Sequence, residues 1–203
     1  MPVPQYADAD VSRKKFEREI TEFQSLAAEY RRRGWFLVEA KFPHVLVLLA
    51  SAKLQPSPIV TGVAFDYTNY DAAPPSVRLV NPFTGVPYKA SELPTQLLRA
   101  LPEQQLQFPG APVGAPAIAM QAAQPLMQAL TPEDIPFLCL AGVREYHDHP
   151  AHSGDVWDLH RAGGAGRLVR LLEVIHRYGV ESIAAWGVQM MPKVTFHFGP
   201  PPL

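Results

Sequence analysis

Tyr70-Asp71-Ala72-Ala73-Pro74-Pro75-Ser76-Val77-Arg78-Leu79-Val80-Asn81-Pro82 decides how the chain is read. Two consecutive prolines offer no backbone N–H and cannot sit in the interior of a helix or a central strand. The run from Ser76 that follows them is short and apolar, closes at Pro82, and predicts a strand. Upstream, Trp35 to Ala40, His44 to Ala52 and Pro58 to Tyr67 are three further extended segments. The links between them, Lys41-Phe42-Pro43 and Gln55 to Ser57, are short and imply antiparallel neighbours. Before the strands, Phe16, Ile20, Phe23, Ala27 and Tyr30 recur every three or four residues between Val11 and Arg33, which predicts an amphipathic helix. Asp10 or Ser12 is expected to cap its start, Arg31-Arg32-Arg33 to suit its end, and Gly34 to stop it. The order is thus helix, three-strand meander, double proline, strand: an α+β chain.

Downstream lies a long insertion, Phe83 to Pro136, read as part of a single domain that spans residues 1–203. Pro94 opens an expected short helix over Thr95 to Leu101, whereas the Ala/Pro/Gln-rich tract from Phe108 to Gln128 supports no assignment. The densest chemistry follows at Cys139 to Arg161, C-L-A-G-V-R-E-Y-H-D-H-P-A-H-S-G-D-V-W-D-L-H-R, with the only cysteine and four of the seven histidines. If Glu145 to His149 is extended, Glu145, His147 and His149 share one face. Gly163-Gly164-Ala165-Gly166 then leads into a helix over Arg167 to Tyr178, stopped by Gly179, and Val194 to Phe198 alternates like a terminal strand. The Gly-rich entry lacks both the lysine and the preceding strand of a phosphate-binding loop.

Composition narrows the partners. Lys and Arg number 18 against 19 Asp and Glu, so net charge offers no argument for nucleic acid or an anionic membrane. The arginine run at 31–33 is the one local excess, read either as the solvated end of a helix or as a docking patch. A single cysteine forms no internal disulfide, the longest apolar run, Val45 to Ala50, is too short for a bilayer, and no leader is evident, so the expected location is the cytoplasm.

Tyr70, Pro74-Pro75, the strand Val77 to Val80, Cys139 beyond it and the helix after Cys139 together resemble the ubiquitin-conjugating enzymes and their non-catalytic RWD relatives. The resemblance implies a helix packed on a four-stranded meander, with an active cysteine after the fourth strand. It also implies a ubiquitin-like modifier and a ThiF-type activating enzyme as partners. The family's His-Pro-Asn is missing before Cys139, and His149-Pro150 follows it instead. The series Cys, Glu, His, His is also similar to a group of bacterial proteins with a predicted metal site, encoded beside ubiquitin-like proteins, activating enzymes and JAB-type peptidases in operons associated with defence against phage.

Two chemistries compete for one sulfur. As a nucleophile, Cys139 would carry the modifier as a thioester with no cofactor, then pass it to an amine. Arg144, His147, His149 or His152 would raise the thiolate share, a histidine or Asn81 would serve the oxyanion, and Asp148 or Asp155 would orient an imidazole. As a metal ligand, Cys139 with Glu145, His149 and His152 would hold Zn²⁺, with His147 and His160 as alternates. A third reading keeps the fold as an interaction module with an inert cysteine. His44, His176 and His197 are read as structural, and Trp157 as a core anchor.

Overall fold

The computed structural model describes residues 4–101, 104–106, 118–120 and 122–187. The expected strand over 194–198, with His197, lies outside the described residues.

The N-terminal helix forms in two pieces, α1 (Ala9–Ser25) and α2 (Ala27–Arg32), interrupted at Leu26. Its cap is Asp8, whose Oδ1 accepts from the amides of Asp10 at 2.9 Å and Val11 at 3.1 Å. Asp10 instead supplies the favourable negative charge in the first turn, and Ser12 is buried. Gly34 does stop the helix: its φ is +86°, and a Cβ there would lie 2.2 Å from the Ala50 carbonyl oxygen.

Four strands follow, β1 (Trp35–Lys41), β2 (His44–Ala50), β3 (Ile59–Asp66) and β4 (Ser76–Val80), joined in the order β1-β2-β3-β4 as an antiparallel meander. Side chains alternate across the sheet, so Val45, Val47 and Leu49 of β2 are buried, while Leu46 and Leu48 are half-buried on the other face. The short helices α3 (Arg144–Asp148) and α4 (Asp158–Arg161) precede α5 (Leu168–Ile175), and the buried face of the sheet meets Phe16, Ile20 and Phe23 of α1 and the buried stripe of α5, namely Leu168, Leu171, Leu172 and Ile175. Each fully buried aliphatic side chain contributes about 1.5–3 kcal/mol. The helix α5 continues into a π turn over His176–Val180 instead of stopping at Gly179.

The insertion departs from expectation. Leu98–Ala100 (β5) is a strand, not part of a helix, and pairs antiparallel with Ala123–Pro125 (β8). Gln104–Leu106 (β6) pairs likewise with Ile118–Met120 (β7) as a second two-stranded ladder, which lies between β5 and β8 in sequence. Leu97 at φ 42° breaks helical geometry just before β5. Met127–Gln128 (β9) then pairs with Phe137–Leu138 (β10), the strand that delivers Cys139. Pairing with a remote segment is invisible to local periodicity, which is why this region reads as a short helix in sequence. No described helix is long and apolar enough to cross a membrane.

Candidate functional site

Cys139 leaves β10 half-buried, with its own amide committed to the Leu126 carbonyl oxygen at 2.7 Å. The chain then turns through Ala141 and Gly142 into a short helix, α3 (Arg144–Asp148), so the stretch expected to be extended is helical. Glu145 and His147 are therefore on different faces. Pro150 opens a 3-10 turn over Pro150–His152, and this turn carries His152 back to the thiol. His152 Nε2 lies 3.6 Å from Cys139 Sγ.

The imidazole of His152 is held from behind. It stacks on Tyr146 with ring centroids 3.9 Å apart. The Tyr146 hydroxyl donates to Asp155 Oδ2 at 2.7 Å, and Asp155 Oδ1 lies 2.5 Å from His160 Nε2. These two donors hold the Asp155 carboxyl below its ordinary range, while the hydrogen bond to Asp155, aided by burial, pushes Tyr146 up to about 12. Burial pushes the Cys139 thiol up as well, opposed by the positive charge of Arg99 on β5. At rest the sulfur is therefore a thiol, and ionising it requires an acceptor for its proton. His152 is the imidazole placed to accept it.

The other sequence candidates are engaged elsewhere. His147 places Nδ1 2.7 Å from the Asp155 carbonyl oxygen and Nε2 2.7 Å from the Ala141 carbonyl oxygen. Both ring nitrogens are thus turned to backbone carbonyl oxygens, and neither is paired with the thiol. His149 Nδ1 accepts from the Ala151 amide at 3.3 Å as the cap of the 3-10 turn, and its ring stacks on Phe137 at 5.0 Å. Glu145 turns to β4: it accepts from the Ser76 hydroxyl and from the Val77 amide at 3.3 Å, and pairs with Arg78 at 3.2 Å. Asp148 is exposed. Asn81 closes the turn after β4, with Oδ1 accepting from Phe83 at 2.9 Å and Thr84 at 3.2 Å. Among the described residues, no three His, Cys, Asp or Glu side chains converge as a metal site. The structure thus brings together Cys139 and His152 but not Glu145, His147, Asp148 or Asn81.

Arg144 does not activate the thiol. Its side chain is buried and forks across three carbonyl oxygens, Thr68 at 2.6 Å and Pro74 and Asp66 at 3.3 Å, with the Asp66 carboxylate at 3.7 Å. Its amide also donates to the Pro75 carbonyl at 2.9 Å. Arg144 therefore ties the cysteine segment to the Pro74-Pro75 loop. Close approach explains two glycines here: a Cβ on Gly142 would sit 2.0 Å from the Ala165 carbonyl oxygen, and one on Gly166 would sit 2.9 Å from Pro75. Trp157 is buried behind this junction and donates from Nε1 to the Asp71 carbonyl at 2.8 Å, which makes it an anchor.

The Y4jH-like profile, described as the Y4jH family, matches residues 7–183, nearly all of the described body. The chain belongs to the Y4jH family. One relative in it, the Sinorhizobium fredii (strain NBRC 101917 / NGR234) protein described as "Uncharacterized protein y4jH", is 45% identical over 183 residues, which cover 88% of this chain and 87% of the relative. The Y4jH match takes in the helix, the meander, Cys139 and His152 together.

Sequence reasoning missed two members of the site, Arg99 and Tyr146. The expected helix over Thr95 to Leu101 gave no reason to carry Arg99 towards the cysteine. An extended Glu145 to His149 would put Tyr146 on the face away from Glu145, His147 and His149, and its role appears once α3 is seen to be helical.

Proposed function

We propose that this Y4jH-family chain is a ubiquitin-conjugating-enzyme-like protein of the RWD/UBC-like fold that carries a ubiquitin-like modifier as a thioester on Cys139. The observation that carries this reading is the lone pairing of Cys139 Sγ with His152 Nε2 at 3.6 Å. The helix on a β1-β2-β3-β4 meander, with the double proline just before β4 and the cysteine beyond it, supports it.

In this reading the Cys139 sulfur attacks the modifier's activated C-terminal carbonyl carbon. A C–S bond forms, the bond to the activating enzyme's thiol breaks, and the Cys139 proton passes to His152. An acceptor amine then forms the amide and releases the Cys139 thiolate, which recovers a proton. The Cys139 amide is already bonded, but the Ala141 and Gly142 amides make no hydrogen bond among the described residues. They are the backbone donors we assign to the oxyanion in place of the absent His-Pro-Asn. A ThiF-type activating enzyme, an operon of conjugation genes and a role against phage follow from the resemblance alone. A zinc set of Cys139, Glu145, His149 and His152 would require Glu145 to abandon Arg78, Ser76 and Val77.

Substitution separates the readings. Cys139→Ser is expected to trap the modifier as an oxyester that survives thiol reductant, and Glu145→Gln to retain thioester formation. An unmodified C139S protein, together with an E145Q protein that loses both the adduct and bound zinc, would overturn the proposal in favour of a metal centre.

A further inference from the structure

The arginine run that the cysteine chemistry leaves unused ends at a second pocket. Arg32 and Arg33 from α2, Ser51 to Lys53 after β2, and His176, Val180 and Glu181 at the π turn enclose about 260 Å³. Two polar atoms in its wall are buried and lack hydrogen-bond partners among the described residues, Ser51 Oγ and His176 Nδ1. Ser51 is 1% exposed. A buried hydroxyl without a partner costs about 1–3 kcal/mol, so its retention calls for a function.

The remaining bonds define what the pocket lacks. His176 Nε2 faces the Arg33 carbonyl oxygen at 3.2 Å, and that nitrogen donates. Burial holds the imidazole below its usual range, towards the neutral form, in which Nδ1 is an acceptor. Nδ1 lies 3.4 Å from Glu181 Oε1, outside hydrogen-bond geometry. Two acceptors therefore face each other with no proton between them. Arg33 is held by Glu173 in a two-point pair at 2.5 and 2.8 Å. Among the described residues Arg32 pairs only with exposed Glu29, an exchangeable surface contact. Lys53 touches the Glu181 carbonyl oxygen and, among the described residues, no carboxylate. The wall thus offers cationic donors, a free hydroxyl, and an acceptor pair that needs a donor. Turns of π helix also occur preferentially at functional sites.

We propose that this pocket binds a phosphate group bearing an acid proton, either inorganic phosphate or a phosphate monoester. Its oxygens accept from Lys53, Arg32 and Ser51, and its P–OH donates into the gap between His176 Nδ1 and Glu181. The site is separate in sequence and structure from Cys139 and does not depend on the thioester reading.

The test is calorimetric titration of the full chain with inorganic phosphate and with ribose 5-phosphate, at constant ionic strength. Wild type is expected to bind at least one of them saturably, with Ser51→Ala and Lys53→Met each weakening it 10-fold or more. Tighter binding of the ester would identify an organic ligand, and equal or tighter binding of phosphate the free ion. Lys53 is exposed, so K53M keeps the test decisive if S51A folds poorly. Absence of saturable binding by wild type up to about 20 mM, or undiminished binding by K53M, would overturn the proposal.

Discussion

Arg144→Met removes the clamp between the cysteine segment and the double proline while keeping most of the apolar stem. Three carbonyl oxygens lose their donor, one of them at 2.6 Å and two at 3.3 Å. A hydrogen bond to a charged group is worth about 1.5–3 kcal/mol when well formed, and the two longer bonds contribute less. Relief of the buried guanidinium's desolvation offsets part of the loss, and the methionine retains stem packing. The expected net cost is about 3 kcal/mol. Urea unfolding with an unchanged slope of about 2–3 kcal/mol/M should show the midpoint lowered by about 1–1.5 M. Arg144→Lys should not restore it, because an ammonium cannot span the carbonyl oxygens of Thr68, Pro74 and Asp66 from one planar fork. Iodoacetamide should alkylate Cys139 faster in R144M as the segment loosens. A loss below about 0.5 kcal/mol, or full rescue by lysine, would refute the reasoning that Arg144 holds this segment in place.

Three further outcomes follow from the same geometry. His152→Ala should slow single-turnover thioester formation about 100-fold or more at neutral pH, with fold stability little changed, because the proton of a half-buried thiol loses its acceptor; raising the pH should recover much of the rate. Gly142→Ala should cost at least about 2 kcal/mol in thermal or urea unfolding, since its Cβ would meet the Ala165 carbonyl oxygen at 2.0 Å. His176 is held below its ordinary range by burial, so the unfolded chain binds a proton that the folded chain refuses. Stability from this source is complete above about pH 6.5 and declines as the pH falls below it, and His176→Gln should flatten that segment of the pH–stability curve.

The meander was legible because its signals are local. Alternation in β2, prolines closing β4 and the three-to-four spacing of Phe16, Ile20 and Phe23 each act within one element. The strand pairing of the insertion was not, because β5 gains its hydrogen bonds from β8, 25 residues away at Arg99 and Gln124. At the site, the density of histidines around one cysteine marks the region in sequence but does not choose among Arg144, His147, His149 and His152 as the neighbour of the thiol. His147 and His152 are alike in sequence, yet one is consumed by carbonyl oxygens and the other is carried by a 3-10 turn to the sulfur. Glu145, grouped with His149 and His152 in sequence, is turned by α3 towards Arg78. Local helix over Arg144–Asp148 won over the extended reading because Pro150 supplies the following 3-10 turn and Arg144 anchors the first residue.

The central claim is tested most directly by native mass spectrometry of the purified chain. It would be run before and after incubation with a ubiquitin-like protein and ThiF-type activating enzyme from the same genome, plus ATP. A thiol-reducible mass increase equal to the modifier, formed on metal-free wild type and absent from Cys139→Ala, is the predicted result. A stoichiometric zinc mass with no adduct would contradict it.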